Sequence, residues 1–456
     1  FVCAQRLRIV GPARVRGAPC AERGAQFLPG VMRRSSLDPF CAIPLLTFED
    51  RVECVSSVGD AIYIGTATGN VIHVALERPS HVESERPPVQ ASQIAVARLS
   101  QRRPVEHICA AEGFVLTIAD GVCYALTASD IMAPPEILGR DARCVCSHTG
   151  QRETMQAEFC VSFRKKLVLF TRAEQGFEIL QEFPTSDVAC ALVWHHAWIC
   201  AGFKKEYSLY SDRAGVPQDI CTLDGKTTPR IALVGDSELL LMIQEAVGFF
   251  FDLNTRQPAS KSTVTWPRKV VAMGATSSYI LGSSGSGQVD VFSVRDQRAC
   301  QTLVTECSAC AICPCAVGSA IVAGGNSVVR LELVPFERQI RRLLLQARVS
   351  EALDLLNATF GPGDPRREQQ LSRLHLQAGW MRFSELQFMQ AFTHFMYSAD
   401  FSVAEVLGFW RRLLPTGLDM ASVSEGACLA SDSGAPEPCD VEDFVRARLL
   451  ERQGPA

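Results

Sequence analysis

Apolar and polar residues alternate in short runs through the first two thirds of the chain, and the runs are separated by turns. The clearest unit is Gly59-Asp60-Ala61-Ile62-Tyr63-Ile64-Gly65-Thr66, then Thr68-Gly69-Asn70 and Val71-Ile72-His73-Val74. A period of two over so few residues is that of a β-strand with one buried face. A glycine turn between two such runs makes a hairpin. The unit recurs at 113–119 with 122–126, at 159–163 with 167–170 around Arg164-Lys165-Lys166, and at 197–202 with 207–210 around Lys204-Lys205. It returns at 238–243 with 247–251, at 279–282 with 289–294, and at 320–324 with 328–333 around Asn326-Ser327.

The first strand of each copy ends at Gly65, Ala119, Ser162, Gly202, Ile243, Gly282 and Gly324, giving steps of 54, 43, 40, 41, 39 and 42 residues. A period of roughly 40 residues is that of a four-stranded propeller blade. Seven copies predict a seven-bladed β-propeller. The long first step predicts an insertion, supplied by the polar residues 77–100 with Pro79, Pro87 and Pro88. A β-sandwich also has many short strands, but the regular spacing favours the propeller.

After Leu333 the period changes. Pro335 suits the first turn of a helix, and Phe336, Ile340, Leu343, Leu344 and Ala347 fall on one helical face. Ser350 reads as the N-cap of a second helix carrying Ala352, Leu353, Leu355 and Leu356, broken by Gly361-Pro362-Gly363. Asp364-Pro365 starts a third with Leu371, Leu374 and Ala378, and Gly379 reads as its end or bend. A fourth is expected over 383–397 with Leu386, Met389, Phe392 and Phe395 as its apolar stripe, and a fifth over 403–413, stopped by Pro415. Residues 416–438 read as a loop and 441–450 as a last helix. Short helices, each with one apolar face, predict the start of an α-solenoid of helical hairpins, expected to be truncated because no polar cap follows. The expected domains are a basic extension at 1–37, the propeller at 38–334 and the solenoid at 335–456.

Composition changes this picture little. The 456 residues are 47% hydrophobic and 21% charged, with net charge -4, which gives no electrostatic case for nucleic acid. The most apolar segment, 231–253, is interrupted by Asp236, Glu238, Gln244, Glu245 and Asp252, so no membrane span is expected and any membrane role is peripheral. Nineteen cysteines, scattered and odd in number, with no signal peptide in view, read as reduced cytosolic thiols packed as small hydrophobes. Residues 1–36 hold seven arginines against Glu22 alone. Such a bias resembles an organelle transit peptide. Because the chain starts at Phe1, a disordered basic extension or a fragment end is the favoured reading.

Several clusters invite chemistry. Cys307, Cys310, Cys313 and Cys315 have a metal-like spacing, but they sit where a propeller strand is predicted, and a zinc site takes two distant pairs more often. Cys144, Cys146 and His148 read as two alternating strand positions and a turn histidine. Trp194-His195-His196 reads as a turn with partly exposed rings before a strand. Asp224-Gly225-Lys226-Thr227-Thr228 ends like a phosphate loop, but Ile220 replaces its first glycine. The run 282–287, with Gly282, Gly285 and Gly287, is followed by a strand, not a helix. No catalytic residue, cofactor site or metal site is therefore expected, and the partner-binding residues stay open. A propeller enzyme would need convergent His, Asp or Glu at the channel in several blades; the aligned strand ends are Gly, Ala, Ser and Ile.

Asp50-Arg51-Val52-Glu53-Cys54-Val55 and the unit at 59–69 resemble the opening blade of a citron homology (CNH) domain. The stretch Val334-Pro335-Phe336-Glu337-Arg338-Gln339-Ile340, with Leu343-Leu344 and Arg348-Val349-Ser350-Glu351-Ala352-Leu353, resembles the propeller-to-solenoid junction of CNH-domain tethering subunits. So do Gln377-Ala378-Gly379-Trp380, Glu385-Leu386-Gln387-Phe388 with Ala391 and Phe395, and Leu413-Leu414-Pro415. Together these residues resemble the family of the transforming growth factor-beta receptor-associated and vacuolar sorting subunits of CORVET and HOPS. The resemblance covers roughly residues 38–450 and is weak in the middle blades. It implies a cytosolic, non-enzymatic subunit working peripherally on endosome, vacuole or lysosome membranes in vesicle tethering, fusion and autophagy. It also implies a propeller that engages a Rab-type small GTPase or another membrane-bound partner, and a solenoid that joins other class C vacuolar sorting subunits. The alternative is a regulatory CNH-type propeller scaffold in small-GTPase or kinase signalling, which the helices after 334 disfavour.

Overall fold

The computed structural model describes residues 38–77, 90–100, 103–111, 113–150, 157–173, 176–213, 216–315, 318–346, 348–360, 364–403, 406 and 441–453. The expected basic extension, part of the insertion at 78–89, the break at 361–363, the expected helix at 403–413 (save residues 403 and 406) and the loop at 416–438 lie outside them.

Strands account for residues 40–333. Val105–Ala111, Phe114–Ala119, Val122–Thr127 and Glu136–Arg140 form one antiparallel meander, and Ala272–Ala275, Tyr279–Ser283, Gln288–Ser293 and Ala299–Val304 form another. An eight-stranded sheet consists of two further meanders, beginning at Cys144–Thr149 and Ala191–His195. These two first strands meet in parallel, Trp194 opposite His148 and His195 opposite Thr149. Ile231–Val234, Glu238–Gln244 and Val247–Asp252 carry two short edge strands, Gln257–Pro258 and Val264–Thr265.

The remaining sheet brings the two ends of this region together. The strand Phe40–Val58 pairs through 40–47 with Ala320–Leu333 and through 52–58 with Ala61–Thr66, followed by Asn70–Glu77 and Gln90–Arg98. Ala320–Leu333 bends near Gly324 and Gly325, both at positive φ, one residue before the turn expected at Asn326-Ser327. The bend switches the alternation: Ala320 and Val322 share a core cluster with Val329 and Leu331.

The sheets stack face to face in chain order. Leu116 and Ile118 pack with Phe159 and Val161, Leu209 with Leu239 and Phe251, Met242 and Phe250 with Ile280 and Phe292, and Leu281 and Val291 with Val322 and Phe40. The sheet that joins the two ends packs its halves together, with Ile321 and Val328 against Ile62 and Ile64, and stacks on the meander that starts at Val105, with Tyr63 and Val71 against Val105 and Val115, so the fold is a β-propeller-like ring. Gly65 marks how closely neighbours approach. A Cβ there would lie 2.6 Å from Val105 Cγ1 of the next sheet.

Helices follow: α1 (Phe336–Leu345), α2 (Val349–Thr359), α3 (Pro365–Ser384), α4 (Phe388–Phe395) and α5 (Val441–Gln453). The apolar face read from the sequence is buried: Ile340, Leu343 and Leu344 of α1 share one cluster with Leu356 of α2 and Leu374 of α3. Asp364 caps α3, its carboxylate accepting from the Arg366 amide at 2.9 Å, with Pro365 in the first turn. Three expectations are corrected. Ser350 lies inside α2, whose N-cap is Arg348 without a side-chain bond, because Val349 turns into the core. Gly379 neither ends nor bends α3, which runs on to Ser384; a Cβ there would strike the Phe395 ring, so the residue permits close helix packing. The chain turns instead at Leu386, at φ +64, before α4 begins.

That restart shifts the register of the predicted stripe. Ala391 and Phe395 face inward with Trp380, Phe383 and Phe444, whereas Met389 is 83% exposed and Phe392 40%. With Met396 (86%) and Tyr397 (69%) they form an outward apolar face. Where ring and helices meet, the Arg295 guanidinium donates to the Asn357 carbonyl and Val334 donates to Pro39 O at 2.8 Å.

Candidate functional site

In a propeller, the first strand of each meander lines the centre, and any channel chemistry would have to come from its side chains. The half-buried positions on these strands include Ser57, Cys109, Ser147, Val193, Leu233, Met273 and Cys313. The same strands also hold Glu53, His107 and His148 at half-buried positions.

Part of this set is linked. Ser57 Oγ lies 3.4 Å from Cys313 Sγ and 3.1 Å from Cys315 Sγ. Cys109 shares a side-chain hydrogen bond with Ser147 on the next first strand. Burial pushes the Cys313 and Cys109 thiols up to about 12, and Cys310 up to about 11. Such thiols stay protonated near neutrality, which makes them poor nucleophiles. Of the four closely spaced cysteines, Cys313 lies on a strand, Ala311–Pro314, and Cys315 follows it. Cys307 and Cys310 precede it, correcting their expected placement. Cys307 Sγ points at the carbonyls of Gly324 (3.2 Å) and Ser327 (3.4 Å), and Cys310 Sγ at those of Val52 (3.3 Å) and Glu53 (3.4 Å). Cys313 and Cys315 thus share the Ser57 hydroxyl, while Cys307 and Cys310 point to separate backbone carbonyls. Among the described residues no group of three or more His, Cys, Asp or Glu could hold a metal ion.

The histidines sit at the parallel junction. His148 is on the strand, not in a turn. Trp194 and His195 close the strand Ala191–His195 and are buried, 1% and 5% exposed, correcting the expected turn with exposed rings. Only His196 occupies the turn, at φ +50. His195 is held between Asp236 O (2.7 Å from Nε2) and Thr149 Oγ1 (3.0 Å from Nδ1), and burial lowers its pKa. It bridges two sheets through these two bonds.

Asp224 makes the expected turn, its Oδ1 accepting from the Lys226 and Thr227 amides at 2.9 and 2.8 Å. The run 282–287 joins two strands, as its sequence indicates. Sequence reasoning missed one close pair. His375 of α3 and His394 of α4 approach at 3.0 Å between Nδ1 atoms, and desolvation lowers both pKa values. They lie 19 residues apart, so only the turn at Leu386 brings them together. Exposed surfaces include the outward face of α4, the turns at the ends of the strands and apolar side chains on outer strands such as Ile137, Ile179 and Val304. No helix among the described residues is long and apolar enough to cross a membrane.

The chain is similar to three sets of known proteins. "Transforming growth factor-beta receptor-associated protein 1 homolog" of Danio rerio is 26% identical over 374 residues, 80% of this chain and 42% of that protein. "Vacuolar sorting protein 3" of Arabidopsis thaliana is 28% identical over 246 residues, 52% of this chain and 24% of that protein. "Vam6/Vps39-like protein" of Mus musculus is 23% identical over 403 residues, 83% of this chain and 44% of that protein. The chain thus spans less than half the length of these relatives. The CNH domain model matches residues 58–311, more than half of the chain and the larger part of the strand region. With its ring of stacked sheets, its run into helices and these relatives, the chain belongs to the CNH domain family.

Proposed function

We propose that the chain is a non-enzymatic subunit of a vesicle-tethering complex, working peripherally at endosomal, vacuolar or lysosomal membranes. In this reading residues 38–334 are a seven-bladed propeller that binds a Rab-type small GTPase. Residues 335–456 begin an α-solenoid that joins other class C vacuolar sorting subunits, as in CORVET or HOPS. The observation that carries the proposal is the junction. The strand Ala320–Leu333 closes the sheet with Phe40–Val58 and is followed within three residues by α1, whose apolar face is buried under α2 and α3. A ring and a helical stack so joined offer two preformed surfaces on one chain. The names of the vacuolar sorting relatives supply the tethering context.

The four-stranded meanders at 105–140 and 272–304 support the seven-blade count. Capture experiments test the proposal: the full chain, immobilised, is offered a panel of purified Rab proteins loaded with GTP or GDP. The expected result is retention of at least one in its GTP form. Equal retention of both forms across the panel, or none, would overturn the GTPase reading.

A further inference from the structure

Two basic turns noted in the sequence lie at the same end of the ring. Cys144–Thr149 and Ala191–His195 run parallel, so the hairpins that follow them point their turns the same way. Arg164-Lys165 joins Glu158–Phe163 to Lys166–Ala173, and Lys204-Lys205 joins Trp198–Gly202 to Glu206–Ser211. One segment spans the two turns: the Thr185 amide donates to Lys165 O at 2.9 Å, and the Cys190 amide to Gly202 O at 2.8 Å. From the second turn the path continues, since the Leu223 amide donates to Lys205 O at 2.6 Å and the Asp224 turn then presents Lys226.

Arg164, Lys165, Lys204, Lys205 and Lys226 are all exposed, and none forms an ion pair among the described residues. Cations at the border are already matched: Arg143 with Glu106 at 3.5 Å, and Lys269 with Glu245 at 2.5 Å. The acids within the patch are Asp187, Glu206 and Asp224. Asp187 Oδ1 accepts from the Val188 amide at 2.8 Å, and Asp224 is occupied by its own turn.

We infer that this arc of turns docks the ring on a membrane surface bearing anionic phospholipid headgroups. The patch has charge but no anchor: none of the large exposed apolar side chains lies in these turns. A protein partner is generally gripped by aromatic and arginine anchors, and these turns offer no exposed aromatic ring and one arginine, Arg164. A bilayer attracts each cation within a Debye length without any pocket. Flexible lysines from three successive turns fit a broad, laterally mobile array of phosphates better than one fixed carboxylate constellation.

This inference rests on the peripheral-membrane part of the proposed function but is separable from GTPase binding. The full chain is sedimented with vesicles of phosphatidylcholine alone and of phosphatidylcholine mixed with phosphatidylserine. The wild type should partition to the mixed vesicles and be released by salt. A variant with Lys165→Gln, Lys204→Gln, Lys205→Gln and Lys226→Gln should lose partitioning, roughly five-fold per neutralised charge, whereas the four Lys→Arg changes should retain it. No preference of the wild type for anionic vesicles would overturn the inference. So would equal binding by the Gln variant, which would assign the contact to another part of the chain, and so would a variant that keeps vesicles but loses GTPase capture, which would turn the patch toward a protein. Loss of vesicles with GTPase capture intact supports the inference and leaves the proposed function standing. Lysine-dependent vesicle binding without any GTPase capture supports it while the GTPase reading falls.

Discussion

The ring and the helices solve the same problem in opposite ways. Each sheet of the ring stacks on its neighbours, and the sheet that carries both ends of the strand region packs on the meanders at 272–304 and at 105–140, so the core is a circuit of clusters in which neighbouring sheets share residues. The helical part has two clusters in series, one around Leu344 and Leu356 and one around Trp380 and Phe395, and α4 still turns Met389, Phe392 and Met396 outward. A circuit depends on the strand that closes it. A stack depends on each layer and leaves a free face at every stage of growth.

The strongest test of that contrast is at the closure. Phe40 is 2% exposed, meets Tyr279 edge to face at 5.4 Å, and its backbone N and O are both engaged by Gln301 at 3.0 and 2.9 Å. Phe40→Ala should cost about 3–5 kcal/mol. Hydrogen exchange should show protection falling around the whole ring, whereas loosening confined to Phe40–Val58 and its neighbours would break the idea of a circuit. Next is Leu344→Ala, with an expected loss of about 2–5 kcal/mol. Here exchange should rise in α1 to α3 while the strands keep their protection; uniform loosening would show that ring and helices form one cooperative unit.

A smaller effect sharpens the distinction within the stack. At Gly379 an added methyl meets a Phe395 ring that cannot yield, because it stacks on Phe401 at 4.3 Å and meets Trp380 at 4.9 Å. Gly379→Ala should cost about 1–3 kcal/mol through overpacking, despite the better helix propensity of alanine. Denaturant titration should place the loss in α3 and α4, and a stabilised variant would refute the close-packing role.

A further effect is pH-dependent. His107 in the ring is lowered to about 4 by burial, and His375 and His394 in the stack are lowered too. A histidine with a depressed folded pKa binds fewer protons folded than unfolded. Its stabilisation is full above the unfolded value, about 6.5, and is lost as pH falls toward the folded value. The urea midpoint should therefore drop between about pH 6.5 and pH 4, with a shallower slope in His107→Gln, measured on tryptophan fluorescence. An unchanged slope would show that His107 titrates alike in both states.

Legibility in the sequence followed the same division. Strands with one buried face and a glycine turn, such as Ala61–Thr66 and Asn70–Glu77, were readable because alternation and turn chemistry agree. Strands such as Glu136–Arg140, with no fully buried position, gave no alternation to read. Helix existence was readable from the spacing of Ile340, Leu343 and Leu344. The helix break was not, because Gly379 advertises a stop that packing against Phe395 cancels, while Leu386 takes a left-handed conformation its type seldom adopts. At the candidate sites, the two basic turns stood out locally, but their shared direction comes from a parallel contact between strands 46 residues apart. The burial of Trp194 and His195 has the same origin.

The pairing of Phe40–Val58 with Ala320–Leu333 also sets a schedule for synthesis. Cys41 Sγ lies 3.5 Å from Glu332 O, a contact that spans 291 residues. At a translation rate of about 5–20 residues per second, the first strand waits roughly 15–60 s for its partner to leave the ribosome. Throughout that interval residues 40–47 present an unpaired strand edge that could capture another nascent chain. The nascent ring therefore has a long window in which a chaperone that shields strand edges would raise its yield, and slowing translation before residue 333 would lower it.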